Sequence, residues 1–122
     1  MNKIQALNAF WNSFRNGEDW KAYDASSVPE GISDKHITYD VSSDFYGYSV
    51  AQTISLWDKS ASWQALTLKE MEIAERITRG GVMIPYDGGA MWLKRANPWA
   101  QRLSDNEQTK RIVLNVEIEF ID

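Results

Sequence analysis

Over residues 109–121 the chain alternates without a break: Ile112, Leu114, Val116, Ile118 and Phe120 fall on one side, Asn115, Glu117 and Glu119 on the other. A period of two sustained this long predicts a pleated strand with one buried face, either central in a sheet or a long edge of it. Such a strand cannot bury its apolar face alone. The rest of the chain must supply strands beside it and a layer to cover it.

The cover is visible twice. Ile4, Leu7, Trp11 and Phe14 recur at spacings of three and four, with Asn2 placed to cap the start and Asn16-Gly17 to end the run, which predicts a first helix. A second helix starts at Ser60 or Ser62, turns Trp63, Leu66, Ile73, Ala74 and Ile77 inward, and meets a left-handed C-terminal cap at Gly80-Gly81. Glu70 falls inside that apolar arc, which marks a buried pair, a protein interface or a side chain reaching solvent at the edge.

The strand partners are shorter. Ile37, Tyr39 and Val41 alternate with His36, Thr38 and Asp40; Val50, Gln52, Ile54 and Leu56 alternate with Ala51, Thr53, Ser55 and Trp57. A turn within residues 42–48 would join these into a hairpin. Residues 82–86 and 90–95 flank Asp87-Gly88-Gly89 as a second hairpin, stopped by Asn97-Pro98. Residues 18–34, broken by Pro29 and Gly31, read as a connecting stretch pinned to the core by Trp20, Tyr23 and Val28. Residues 96–108 read as a polar loop, longer than the ~4–6 residues of ordinary connections and expected to stay mobile until neighbours order it. The expected order is α-β-β-α-β-β-β: one α+β domain over residues 1–122, with a largely antiparallel sheet of about five strands flanked by two helices.

The chemistry open to the chain is narrow. Cysteine is absent and His36 is the only histidine, which excludes thiolate nucleophiles, disulfides, zinc fingers and any site needing two imidazoles. A triad could use only His36 with Asp34 or Asp40, and no local serine supports it. Gly47-Tyr48-Ser49-Val50-Ala51 approximates a nucleophile elbow, but that turn leads from a strand into a helix and here a strand follows. Glu117 and Glu119, about 7 Å apart on one strand face, could form a catalytic carboxylate pair. Exposed glutamates on a polar strand face are the commoner case. Gly80-Gly81 and Gly88-Gly89 lack the lysine and spacing of a phosphate loop. The expectation is a non-enzymatic protein without metal or cofactor. The polar residues of the first helix exclude a signal peptide or membrane span there, so a soluble product made in the cytoplasm is expected.

Charge is segregated along the chain. Residues 1–75 hold six Lys/Arg against eleven Asp/Glu, residues 76–111 seven against three, and residues 112–122 three acids and no base. Opposite segments can pair within one molecule or between copies. In the basic segment Arg76, Arg79, Lys94, Arg95, Arg102, Lys110 and Arg111 interleave with Trp92 and Trp99, the pattern of a single-strand nucleic-acid-binding module. A pI near 5.0 argues against that reading. Trp and Arg together are also what anchor protein interfaces, and that reading is preferred.

One string is specific. The run from Gly88 to Pro98 has the form G-G-x-x-W-L-x-R-x-N-P, preceded by Arg79-Gly80-Gly81-Val82 and followed by an Arg-bearing strand ending Glu117-Ile118-Glu119-Phe120. With Ile37-Thr38-Tyr39 and Leu56-Trp57-Asp58-Lys59-Ser60 it resembles the tail terminator family of minor tail proteins of long-tailed bacteriophages and prophages, over roughly residues 28–121. The family pattern has Gly where this chain has Ala96 and Phe where it has Trp99. The resemblance implies a virion part that forms a ring, expected to be hexameric, on the head-proximal end of the tail tube. There it would end tube polymerisation and offer the head its docking surface. Implied partners are further copies of the chain, the tail tube protein and a head completion or connector protein, with DNA passing through the pore without specific binding and no membrane. A head-to-tail joining (neck) protein is the related alternative. The candidate interface residues are Trp92, Lys94, Arg95, Asn97, Trp99, Arg102, Glu117 and Glu119.

Overall fold

A computed structural model describes residues 1–40, 49–104 and 109–121. The elements are α1 (Lys3–Asn12), β1 (Lys21–Asp24), β2 (His36–Tyr39), β3 (Ser49–Lys59), α2 (Gln64–Arg76), β4 (Val82–Tyr86), β5 (Gly89–Ser104) and β6 (Thr109–Ile121). They form one six-stranded sheet in the order β1-β2-β3-β6-β5-β4, antiparallel throughout except for the parallel β1–β2 pair. The class is α+β, as the periodicities predict. The alternating C-terminal strand is central, paired with β3 from Ser49↔Glu119 to Lys59↔Thr109 on one edge and with β5 on the other.

That register puts Val50, Ile54, Leu56, Ile112, Leu114, Val116, Ile118, Met91 and Leu93 on one face, where they share a single core with Leu7, Phe10 and Trp11 of α1 and Leu66 and Ile73 of α2. Each such aliphatic side chain contributes about 1.5–3 kcal/mol when taken fully out of water. α2 lies over β3 and β6, while α1 touches β1 and β4, the two outermost strands. The sheet therefore curls far enough for one helix to reach both of its edges.

α1 begins where its sequence says it should: the Asn2 side chain accepts from the Gln5 N–H, and the Gln5 side chain accepts from the Asn2 N–H. It ends at Asn12, short of Asn16-Gly17, and the Asn12 side chain is engaged in tertiary structure. Its amide nitrogen donates to the Ala22 carbonyl at 3.2 Å and its amide oxygen accepts from the Ala22 N–H at 2.9 Å. One side chain thus stands in for a missing neighbour strand along the free edge of β1. Leu7, Trp11 and Phe14 are buried as expected, whereas Ile4 is 46 % exposed.

Five expectations change. Residues 18–34 are not all connection: β1 lies within them, pairing Lys21–Asp24 with His36–Tyr39. Four residues are too few to carry a readable period. Of the residues expected to pin that stretch, Trp20 is buried but Val28 is exposed. Trp20 sits at φ 64°, a conformation bulky residues rarely adopt, and is held there by burial, by its N–H donating to the Lys35 carbonyl and by the Lys69 ammonium over its ring. Gly80-Gly81 does not cap α2, which ends at Ile77 with φ −91° and ψ 80°. Nor does the helix start at Ser60 or Ser62: its first residue is Gln64, its N-cap residue Trp63 makes no side-chain cap bond, and the Ser62 hydroxyl accepts from the Gln64 N–H at 3.1 Å. Finally, residues 96–104 belong to β5, not to a loop. The turn expected at 42–48 and the end of the expected loop at 105–108 lie outside the described residues.

Asn12→Ala should lower the free energy of unfolding by about 1–3 kcal/mol, since both backbone groups of Ala22 lose their partner in one step. Urea denaturation followed by tryptophan fluorescence measures this, and an unchanged midpoint would contradict the clamp.

Candidate functional site

The irregularity in β5 organises the candidate residues. Arg95 pairs with Val116 and Ala100 with Leu114, so Ala96, Asn97, Pro98 and Trp99 together oppose the single residue Asn115. The Asn97-Pro98 peptide is cis, and the Pro98 carbonyl, turned away from regular pairing, accepts from the Asn115 side-chain amide at 3.1 Å. The bulge explains why the sequence reads as a stop at Asn97-Pro98. Proline cannot donate to a ladder, and in this sheet it is absorbed by a bulge.

The inserted residues also reverse which side chains face the helices. Before the bulge Met91 and Leu93 point into the core, and Trp92 and Lys94 point outward. After it Ala100 and Arg102 pair with Leu114 and Ile112, whose side chains face α2, while Leu103 turns to solvent. An odd shift of register has this effect in any strand.

The eight candidate residues are accordingly divided between two faces. On the helix side Trp99 donates its indole N–H to Glu70 at 2.5 Å, and the Arg95 guanidinium lies 5.9 Å from the Trp99 ring centre. Arg102 donates to the Thr67 hydroxyl at 3.1 Å and lies 5.0 Å from the Trp63 ring centre. Glu70, noted in the sequence as a carboxylate on an apolar arc, is thus the anchor for the bulge. Phe at position 99 could not make this bond. Asn97 is exposed at the tip.

On the opposite face Trp92, Lys94, Glu117 and Glu119 form a second group. Lys94 pairs with Glu119 at 3.5 Å and lies 4.2 Å from the Trp92 ring centre, and Ser49 donates to Glu117 at 3.1 Å. The Trp92 indole N–H donates to the Gly80 carbonyl at 2.8 Å. A Cβ at Gly81 would stand 2.6 Å from that indole nitrogen, so the glycine is needed for the approach of Trp92. The two glutamates are engaged separately, Glu117 by a serine and Glu119 by a lysine.

His36 stacks on Trp57 with ring planes 10° apart, and its Nδ1 lies 3.0 Å from the Ser33 carbonyl, a partner that suits a donating Nδ1–H. Burial pushes its pKa below the ordinary value, against the raising effects of the Ser33 carbonyl, the Asp34 backbone and the Asp34 charge, and with a smaller lowering effect from Lys59. The ring is thus held by stacking on Trp57 and by a backbone carbonyl. Beside it is a cavity of about 290 Å³ lined by His36, Trp57, Asp34, Asp58 and Ser33 among others. Asp58 itself is 1 % exposed and paired with Lys35 at 3.4 Å. Among the described residues no three His, Cys, Asp or Glu side chains gather as a metal site, and no helix is long and apolar enough to cross a membrane.

Sequence reasoning did not find Thr67, Trp63 and Asn115 as partners of the candidate residues. Their signal is absent from the string because the bulge, a tertiary feature, decides which residue of β5 meets them. No protein-family model, curated protein or solved structure matches the chain.

Trp99→Phe should cost about 1–2 kcal/mol of stability, because Glu70 loses its donor while staying half-buried; Trp99→Phe with Glu70→Gln should cost less than the sum of the two single changes. A double-mutant cycle in urea decides it, and strict additivity would mean that the bond contributes nothing. His36 gives a pH test. The folded state favours the neutral ring, so the unfolded chain binds the extra proton first. Its contribution to stability is complete above about pH 6.5 and is lost as pH falls from there through the lowered folded value. The urea midpoint should therefore decline with acidification just below pH ~6.5, and His36→Gln should flatten that part of the curve.

Proposed function

We propose that this chain is a non-enzymatic virion protein of the tail terminator type, assembling as a ring on the head-proximal end of a phage tail tube, stopping tube growth and giving the head its docking surface. The observation that carries the reading is the bulge. The string G-G-x-x-W-L-x-R-x-N-P folds as a tight hairpin whose second strand then swells outward, with Arg95, Asn97 and Pro98 exposed and with Trp99 and Asn115 holding it from behind. A knuckle stiffened in this way offers an arginine fork to a partner at little cost in ordering. The segregated charge supports the ring, since in a head-to-tail contact each copy presents one patch to a different patch on its neighbour.

The single-strand nucleic-acid reading has less support. Trp57, Trp63, Trp92 and Trp99 each have a cation of this chain near one ring face, and the indole N–H groups of Trp57, Trp92 and Trp99 are donated internally. Bases would have to compete for those rings. A neck protein would use the same exposed knuckle, and the phenotype separates the two.

In infected cells, deletion of the protein should yield tails of excessive length and full heads left unjoined. Arg95→Glu should give a partial form of the same defect, since truncating or reversing such an anchor costs about 2 kcal/mol or more. Electron microscopy of lysates reads both. Unjoined heads beside tails of normal length would favour the neck assignment, and joined particles of normal length would remove both.

A further inference from the structure

Among the described residues nothing covers the outward face of α2. Gln64, Leu68, Met71 and Glu75 follow one another at spacings of four, three and four, the spacing of a helix–helix seam. Leu68 is 60 % and Met71 52 % exposed, although the buried side of the same helix holds Leu66 and Ile73 at 0 %. Charge is arranged asymmetrically along this stripe. Glu70 accepts from Trp99 and Glu72 pairs with Lys69, which leaves Glu75 near the C-terminal end without a charged or hydrogen-bonding partner among the described residues. Near the N-terminal end Arg102 is fixed by Thr67 and by the Trp63 ring, and no carboxylate among the described residues pairs with it.

We infer that α2 docks antiparallel against α2 of a second copy about a two-fold axis, with Leu68 against Met71 and each Glu75 reaching the other copy's Arg102. A two-fold contact uses the same patch twice, so each charge pair forms twice, and the assembly closes at two copies. A parallel arrangement would instead put Glu75 beside Glu75 and Arg102 beside Arg102. The helix has 13 residues and so spans about 20 Å. Such a seam falls short of the ~800 Å² per partner of a standard stable interface, so the pair exchanges with monomer as concentration changes. The inference does not rest on the virion reading; that ring needs a head-to-tail contact through the β5 knuckle.

The test is sedimentation velocity of the purified full chain over a concentration series. Expected is a rise from monomer to twice the monomer mass and no further. Leu68→Ser with Met71→Ser should weaken association about tenfold or more, the equivalent of ~1.4 kcal/mol. Glu75→Arg and Arg102→Glu should each weaken it similarly by placing like charges together, with circular dichroism confirming that these exposed changes leave the fold intact. An equimolar mixture of the two single variants should recover association. In the mixed pair the introduced arginine of one copy faces the introduced glutamate of the other, and the retained Glu75 faces the retained Arg102. A parent that stays monomeric at every concentration, one that passes beyond two copies, or variants whose mixture stays monomeric would each overturn the inference. Assembly beyond two would leave the ring reading standing, and tail length in the Arg95→Glu phage tests that reading separately.

Discussion

Hydrogen bonds hold β6 along both of its edges, and its alternating side chains leave one arrangement in which five apolar residues enter a common core. Slipping it by one residue would send Ile112, Leu114, Val116, Ile118 and Phe120 to the outer face and bring Glu117 and Glu119 inside, at a cost far above the few kcal/mol by which domains are stable. With β6 fixed, β3 and β5 have fixed faces too, and the helices have one side on which to pack.

The bulge in β5 is the exception that this rigidity permits. β6 holds Met91 and Leu93 inward on one side of it and resumes pairing at Ala100 on the other. Between these anchors the chain accommodates four residues, a proline among them, against one. The reversed facing that results gives α2 its contact with Arg102, while Trp99 reaches Glu70. Polar groups at helix and strand ends act comparably elsewhere. Asn12 closes the edge of β1, and the buried Lys69 ammonium donates to the Phe14 carbonyl and to Glu72, tying α2 to the turn after α1. Each satisfies groups that would otherwise be desolvated without partners.

The basic segment is arranged differently from what its linear charge suggests. Arg76 lies near the Phe10 ring, Lys94 near Trp92, Arg95 near Trp99, Arg102 and Lys110 near Trp63, and Arg111 near Trp57. Cations over rings contribute about 0.5–1 kcal/mol at exposed sites and hold long side chains in set directions. A surface that looks like a nucleic-acid stripe in one dimension is, in three, a set of oriented cations, and only some of them face outward for a partner.

The α+β class, both helices, the long C-terminal strand and the β4–β5 hairpin are legible in the residues because each is a local matter of period and turn chemistry: five alternating apolar residues in β6, the Asn2 cap, the Asp87-Gly88 turn. Trp92, Trp99 and Arg102 are also visible as residues of consequence, and Glu70 as a carboxylate out of place. What the string cannot carry is which of these meet. β1 is too short to show a period and exists because β2 lies beside it and Asn12 covers its edge. Residues 96–104 lack alternation because the bulge interrupts them and only β6 pairs with the far half of β5, so exposure there is high on both faces. Gly81 reads as a helix cap, yet its conformation serves the approach of an indole from another strand. The sequence determined by itself the elements and their buried faces, since periodicity is a property of neighbours along the chain. The tertiary structure alone decided the division of the candidate residues between two faces and the latch of Trp99 on Glu70, since both depend on pairing between residues far apart in that chain.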